Sequence, residues 1–260
     1  MTVILSLDRT SVAGQSAASS GGGSSQPFTA ESDTYFWDFL SGSGNLTEAT
    51  GADTLSYAPE LVNSGPAFAQ SLKADQPLVV AGGIDFNQDT DRIMELEDPS
   101  GIANGTDGYY IGVVATFTTA DSYIFEISRA GATKGSRCTC YLTGSRTIGL
   151  KGNTTDSNSV SFVGTSVTQL DLATEYLIEL VWDTVNDTIA IYVDQVEVTT
   201  ENNTYTSASS FPSSDPAYVR LGNTNTLGKS CDATLRALAF RNQPAIDTAA
   251  SDYLLSLKAA

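Results

Sequence analysis

Residues 175–198 alternate apolar and polar side chains twice in succession: Tyr176, Ile178, Leu180 and Trp182 share one face, then Ile189, Ile191 and Val193 share one again. A period of two marks a half-buried strand, because successive side chains of an extended chain point to opposite sides of a sheet. Residues 183–187 separate the two runs and are rich in Asp and Asn, which tolerate left-handed backbone geometry. A second turn at Asp194-Gln195 leads into Val196 and Val198. The segment reads as an antiparallel β-meander.

The rest of the chain from Tyr35 onward continues in short apolar runs punctuated by Gly, Asn, Asp, Ser and Pro, the rhythm of a β-sandwich or jelly roll. Strands are expected over 84–86, 92–96, 123–128, 138–142, 147–150, 160–163, 218–221 and 233–240. Residues 109–117 form a longer unbroken apolar run, suited to a strand buried on both sides. Near the end, Asp247 can cap a short helix whose Ala250, Tyr253, Leu254 and Leu257 fall on one side. No longer repeat is present, which sets aside solenoids and propellers. A chain of 260 residues, 41% hydrophobic, can bury one sizeable core, and large sandwiches use this whole length as one domain.

The beginning differs. Residues 2–8 read as a short strand, and 12–26 are almost wholly Ala, Gly, Ser and Gln, which cannot bury enough surface to fold alone. A flexible linker of about 15 residues spans roughly 20 Å. In the strand, Val3, Leu5 and Leu7 lie on one side and could fill pockets while the main chain adds to an exposed sheet edge. The expected organisation is an anchor arm with linker over 1–30 and a sandwich over 31–260.

Charge and missing residue types narrow the function. Thirteen Lys and Arg stand against 30 Asp and Glu, a net charge of −17. Nucleic-acid binding is disfavoured because a phosphate backbone needs a basic face, and docking to anionic lipid is disfavoured likewise. No apolar run reaches the roughly 18 residues of a membrane helix, so no membrane insertion is expected. The first seven residues lack the basic start and apolar core of a signal peptide. There is no histidine, which removes the commonest general base and zinc ligand. Of the three cysteines, Cys138 and Cys140 share a strand face. Either all three are reduced and partly buried, or Cys231 is bridged to Cys138 or Cys140.

Several segments, in order, resemble the concanavalin A-like, laminin-G-like superfamily, including modules of bacterial surface proteins and phage virion structural proteins. Trp37 followed by Asp38-Phe39-Leu40-Ser41-Gly42-Ser43-Gly44-Asn45 is similar to its opening element, and Ile84-Asp85-Phe86-Asn87 to an early strand. The pair ending in Ile191-Tyr192-Val193-Asp194-Gln195 matches another, with Gln195 where Gly is commoner. Val219-Arg220-Leu221-Gly222-Asn223 and the stretch from Leu235 to Tyr253-Leu254 complete the resemblance. It implies an all-β fold: a two-sheet antiparallel jelly-roll sandwich with a short C-terminal helix and an extended N-terminal arm.

Glycosidases of this fold carry alternate carboxylates as E-x-D-x-E on one strand, so that one can attack while another protonates the leaving oxygen. The nearest string here is Glu95-Leu96-Glu97-Asp98, interrupted by Pro99. Family lectins often hold calcium through Asp and Asn. The candidates for Ca2+, the one cofactor considered, are Asp85, Asp89 and Asp91 on one loop and Asp183, Asn186 and Asp187 on another. Carbohydrate binding needs aromatic platforms flanked by polar groups, and Tyr109, Tyr110, Tyr123, Tyr141 and Tyr205 are candidates by type. The leading expectation is a non-enzymatic phage virion protein, a capsid decoration or fibre component assembled in the host cytoplasm. Its arm would meet other virion proteins, its sandwich would meet host-surface glycans, and it would form a homo-oligomer. The alternatives are a free carbohydrate-binding lectin-like module and a divergent glycoside hydrolase.

Overall fold

A computed structural model of the chain describes residues 28–40, 46–48, 54–63, 65–86, 92–98, 108–129, 138–152, 162–183, 185–186, 188–199, 204–205, 217–222 and 231–258. The arm residues Val3, Leu5 and Leu7 lie outside them. The early strands are β1 (Thr34–Asp38), β2 (Thr47–Glu48), β3 (Leu55–Ala58), β4 (Phe68–Ala69), β5 (Leu78–Val80), β6 (Gly83–Phe86) and β7 (Met94–Asp98). Five longer ones follow: β8 (Gly108–Phe117), β9 (Tyr123–Arg129), β10 (Cys138–Leu142), β11 (Thr147–Gly152) and β12 (Phe162–Gln169). The chain closes with β13 (Glu175–Asp183), β14 (Thr188–Val193), β15 (Val196–Glu197), β16 (Thr204–Tyr205), β17 (Ala217–Leu221), β18 (Ala233–Arg241) and helix α1 (Thr248–Leu257).

All pairing is antiparallel, in two sheets. The smaller runs β15-β14-β13-β8-β18-β6-β5 with β1 also on β18, and the larger runs β16-β12-β11-β10-β9-β17-β7-β4-β3-β2. This is the expected two-sheet sandwich. One apolar cluster fills the space between the sheets, from Trp37, Phe86, Tyr109, Trp182 and Phe240 on one to Met94, Phe125, Ile127, Leu150 and Leu221 on the other. Cys138, Cys140 and Cys231 belong to this core as free thiols, so no bridge joins Cys231 to either partner. Burial pushes the Cys138 thiol well up, and the neighbouring Glu126 adds to the rise, which leaves it a neutral packing group.

The outer face of the smaller sheet is closed by α1. Phe36, Tyr110, Val114, Leu177, Ala237 and Ala239 on the strands pack with Ala250 and Leu254 of the helix. Strand β8 is therefore sandwiched, which explains its continuous apolar run: Tyr109, Ile111 and Val113 face the inter-sheet core, while Tyr110 and Val114 face the helix. At Gly112 an added Cβ would sit 2.7 Å from Leu254 Cδ1, so the close approach of helix to sheet needs the bare backbone there. Asp247 holds the start of the helix. Its Oδ1 accepts from the N–H groups of Ala249 and Ala250 at 3.0 and 3.2 Å, as an N-cap does. Its Oδ2 accepts from Glu31 N and Thr34 Oγ1 at 2.9 and 2.8 Å, tying the helix to the chain around β1.

The meander forms as its periodicity requires, with β13 pairing β14 from Asp183↔Thr188 to Ile178↔Val193. Asp194 and Gln195 both take positive φ, 52° and 64°, the geometry of a tight hairpin turn. A glutamine is held in that unfavourable region by its own side chain, whose Nε2 donates to Ser251 Oγ at 3.0 Å and Asp252 Oδ1 at 2.9 Å on α1. Elsewhere the boundaries move. Strand β7 starts at Met94 rather than 92, because Ile93 N bonds back to Asp75 O instead of joining the ladder. Strand β12 runs on to Gln169, beyond the apolar stretch, held through main-chain pairing with β11 such as Gly149↔Thr165.

Candidate functional site

The outer face of the larger sheet carries a transverse row of polar side chains. In register across five strands, Lys151 of β11 opposes Thr139 of β10, Thr139 opposes Glu126 of β9, Glu126 opposes Arg220 of β17, and Arg220 opposes Glu95 of β7. Directly opposed residues of an antiparallel ladder share a face. The flanking positions Leu150, Cys140, Phe125 and Met94 point the other way, into the core. The middle of the row is closed, with Glu126 at 0% and Thr139 at 2% exposure, and its two ends are partly open.

At one end, Arg220 Nε donates to Glu95 Oε2 at 2.7 Å while its guanidinium lies 4.9 Å from the Tyr218 ring centre. Glu95 is thus paired, on a strand enclosed between β17 and β4 rather than at a sheet edge.

At the other end two tyrosines stack. The ladder between β9 and β10 shifts register between Cys140 and Tyr141, which brings Tyr123 opposite Tyr141. Their rings lie 5.4 Å apart and within 18° of parallel. Tyr141 is paired on its other side with Gly149, where an added Cβ would stand 2.7 Å from the ring atom Cζ. The ring therefore lies flat across the glycine backbone. Lys151 completes the group: its Nζ sits 4.8 Å from the Tyr141 ring centre and 5.5 Å from that of Tyr123, and donates to Tyr123 Oη at 3.2 Å. Among the described residues Lys151 has no carboxylate partner. Burial holds the Tyr141 hydroxyl above its usual pKa; Lys151 opposes the rise, and Tyr123 and Cys140 add to it. Tyr141 and Lys151 are half-buried, so a flat aromatic face and a cation are offered together at the surface.

The five candidate tyrosines separate sharply. Tyr123 and Tyr141 meet in the stack. Tyr109 is 1% exposed and packs among Trp182 and Phe240, and Tyr110 is 0% exposed beneath α1. Neither offers a ring to a surface ligand, which corrects that part of the sequence expectation; neighbours on one strand face opposite layers, and here both layers are filled. Tyr205 sits on β16 opposite Phe162, and its side chain lies outside the described residues. Gly149, Lys151, Glu126 and Arg220 were not singled out from sequence. The available signal was parity, since Gly149 and Lys151 alternate with core residues Ile148 and Leu150 and so must face outward with Tyr141.

Of the six cation candidates, Asp85, Asp183 and Asn186 lie within the described residues. Asp183 accepts from Val185 N and Asn186 N, both at 2.9 Å, and from Asn186 Nδ2 at 2.7 Å, closing its own turn. Burial would raise its pKa, but these donors outweigh it and hold the carboxyl below its ordinary value. Asp85 instead lies above its ordinary value, through burial and the neighbouring Asp232 against Arg92 and Thr234. Asp89, Asp91 and Asp187 lie outside the described residues. Among those described, no group of three His, Cys, Asp or Glu side chains could hold a metal ion, and no helix is long and apolar enough to cross a membrane.

No family model and no curated protein matches the sequence. Solved structures do match the fold. Trypanosoma rangeli sialidase aligns over 88% of this chain and 33% of its own, with TM-score 0.58 and 12% identity. The same sialidase in complex with sialic acid aligns over 88% and 33%, with TM-score 0.59 and 11% identity. The CBM40 of a Ruminococcus gnavus sialidase bound to α2,3 sialyllactose aligns over 62% and 87%, with TM-score 0.46 and 12% identity. The chain spans about a third of the sialidase chains, 33%, and the likeness is one of fold, a two-sheet antiparallel β-sandwich. These matches also correct the expectation of a protein without enzymatic activity. The chains that share the fold over 88% of this sequence are those of enzymes, so the missing histidines and the Pro99 interruption do not carry that conclusion.

Proposed function

We propose that this chain is a carbohydrate-binding, lectin-like module whose site is the Tyr123, Tyr141 and Lys151 group on the outer face of the larger sheet. The carrying observation is the Tyr141 ring laid flat over Gly149 with the Lys151 ammonium over it. A pyranose ring presents a C–H face that stacks on an aromatic plane, while its hydroxyls need polar partners at the rim. The test is binding of the full-length chain to a printed glycan array, repeated with Tyr141→Leu. Selective binding that falls about tenfold in the variant supports the reading; an array on which nothing binds, or binding indifferent to Tyr141, contradicts it.

A second reading, glycoside hydrolysis, is favoured by the fold shared with the sialidase chains, with Glu95 at the partly open end of the row as the carboxylate within reach of a ligand. Release of 4-nitrophenol from nitrophenyl glycosides, abolished by Glu95→Gln, would support it, and no turnover would count against it. A third proposal rests on sequence alone: residues 1–30 attach the module to other virion proteins in a homo-oligomeric particle displaying it to host glycans. Deleting residues 1–26 should then abolish incorporation into particles, and unchanged incorporation would defeat that placement.

A further inference from the structure

We infer that the ligand of the Tyr141 site is an acidic sugar, a pyranose bearing a carboxylate, with Lys151 as the group that selects the charge. This deepens the carbohydrate-binding reading and rests on it.

The argument starts from charge. In a chain with 13 basic and 30 acidic residues, carboxylates outnumber cations more than two to one, so a basic side chain ordinarily finds one. Five others do within the described residues: Arg146 with Asp171, Arg220 with Glu95, Arg236 with Glu175, Arg241 with Asp33 and Lys258 with Asp194. Lys151 does not. The nearest acid along its own row is Glu126, on the far side of Thr139, two strand spacings or about 10 Å distant. What surrounds the ammonium instead is the Tyr123 hydroxyl at 3.2 Å and two ring faces.

An ammonium has three N–H donors, and Tyr123 Oη takes one. Two remain, matching the two oxygens of a carboxylate. The half-buried position strengthens a charge pair relative to one in open water. The cation also lies over the ring that Gly149 holds flat, 4.8 Å from its centre, so a sugar meeting Tyr141 would bring a substituent to Nζ. A neutral hexose would leave those donors to solvent. A uronate or other carboxylated pyranose would satisfy them.

The experiment compares matched glycans on the full-length protein: neutral oligosaccharides, their uronate counterparts of the same linkage, the methyl esters of those uronates, and sulfated analogues. The expected result is at least tenfold tighter binding of the uronates than of the neutral partners. Esterification should remove the preference, as should Lys151→Met with unchanged melting temperature, and Lys151→Arg should retain it in part. The esters test the same point on unmodified protein should the variant fail to fold. Equal affinity for acid, ester and neutral glycan overturns the inference and leaves the carbohydrate-binding reading standing. Stronger binding of the sulfated analogues than of the uronates overturns the assignment of the anion. Absence of binding to every probe overturns the inference together with the reading beneath it.

Discussion

The two outer faces of this sandwich have been put to opposite uses. On the smaller sheet, β8, β13 and β18 turn Tyr110, Val114, Leu177, Ala237 and Ala239 outward, and α1 covers them. A polar pair is trapped there: Tyr110 Oη donates to Glu179 Oε1 at 2.9 Å. On the larger sheet, the corresponding face carries a charged row, and at its open end an aromatic pair. Both faces use a glycine for close approach, Gly112 under Leu254 and Gly149 under Tyr141. At the first the space admits a helix that completes the fold; at the second it flattens a ring toward solvent. One face is covered by the helix for stability, and the other is the one the proposed function uses for recognition.

That contrast can be broken most forcefully at Leu254. Leu254→Ala should cost about 2–5 kcal/mol in urea unfolding, through lost burial and a cavity under the helix, with glycan binding unchanged under native conditions. Loss of binding in the folded variant would mean that the faces are coupled. A smaller effect is expected at Glu179. Burial raises its pKa, Asp252 adds to the rise, and the hydroxyls of Ser251 and Tyr110 oppose it. Its Oε2 has no hydrogen-bond partner among the described residues. A raised carboxyl keeps its proton in the native state at pH values where the unfolded chain has lost it. Stability should therefore fall as pH rises from the ordinary glutamate range through the raised value. Glu179→Gln should flatten that slope and stabilise the protein above it by on the order of 1 kcal/mol, read by calorimetry across pH; a steeper slope would contradict the assignment. Smallest of all is Asp171→Asn, which breaks an exposed pair with Arg146 at 3.9 Å. It should shift stability by less than about 0.5 kcal/mol and leave both faces intact, setting the baseline against which the other two are judged.

Most of the architecture was legible because it is local. Alternation announces β13 and β14, an unbroken apolar run announces a strand covered on both sides, and Asp247 with the spacing of Ala250, Leu254 and Leu257 announces the helix. The site was legible only in part because it is not local. Arg220 meets Glu95 across 125 positions of sequence, a distance that no window of periodicity can see. Tyr141 meets Tyr123 only through a register shift. Tyr110 is a plausible surface ring on sequence until a helix more than a hundred residues later, Thr248–Leu257, closes over it. Residue type nominated the candidates, and topology chose among them.

The central claim is that glycan binds on the larger sheet beside Tyr141 and that the helix-covered face takes no part. Backbone amide NMR of the full-length protein, titrated with the tightest glycan from the array, tests it most directly. The account predicts saturable shifts centred on Tyr123, Tyr141, Gly149 and Lys151, with the amides of α1 and of Leu177 to Glu179 unmoved. Shifts centred on α1, or spread evenly over both sheets, would contradict it.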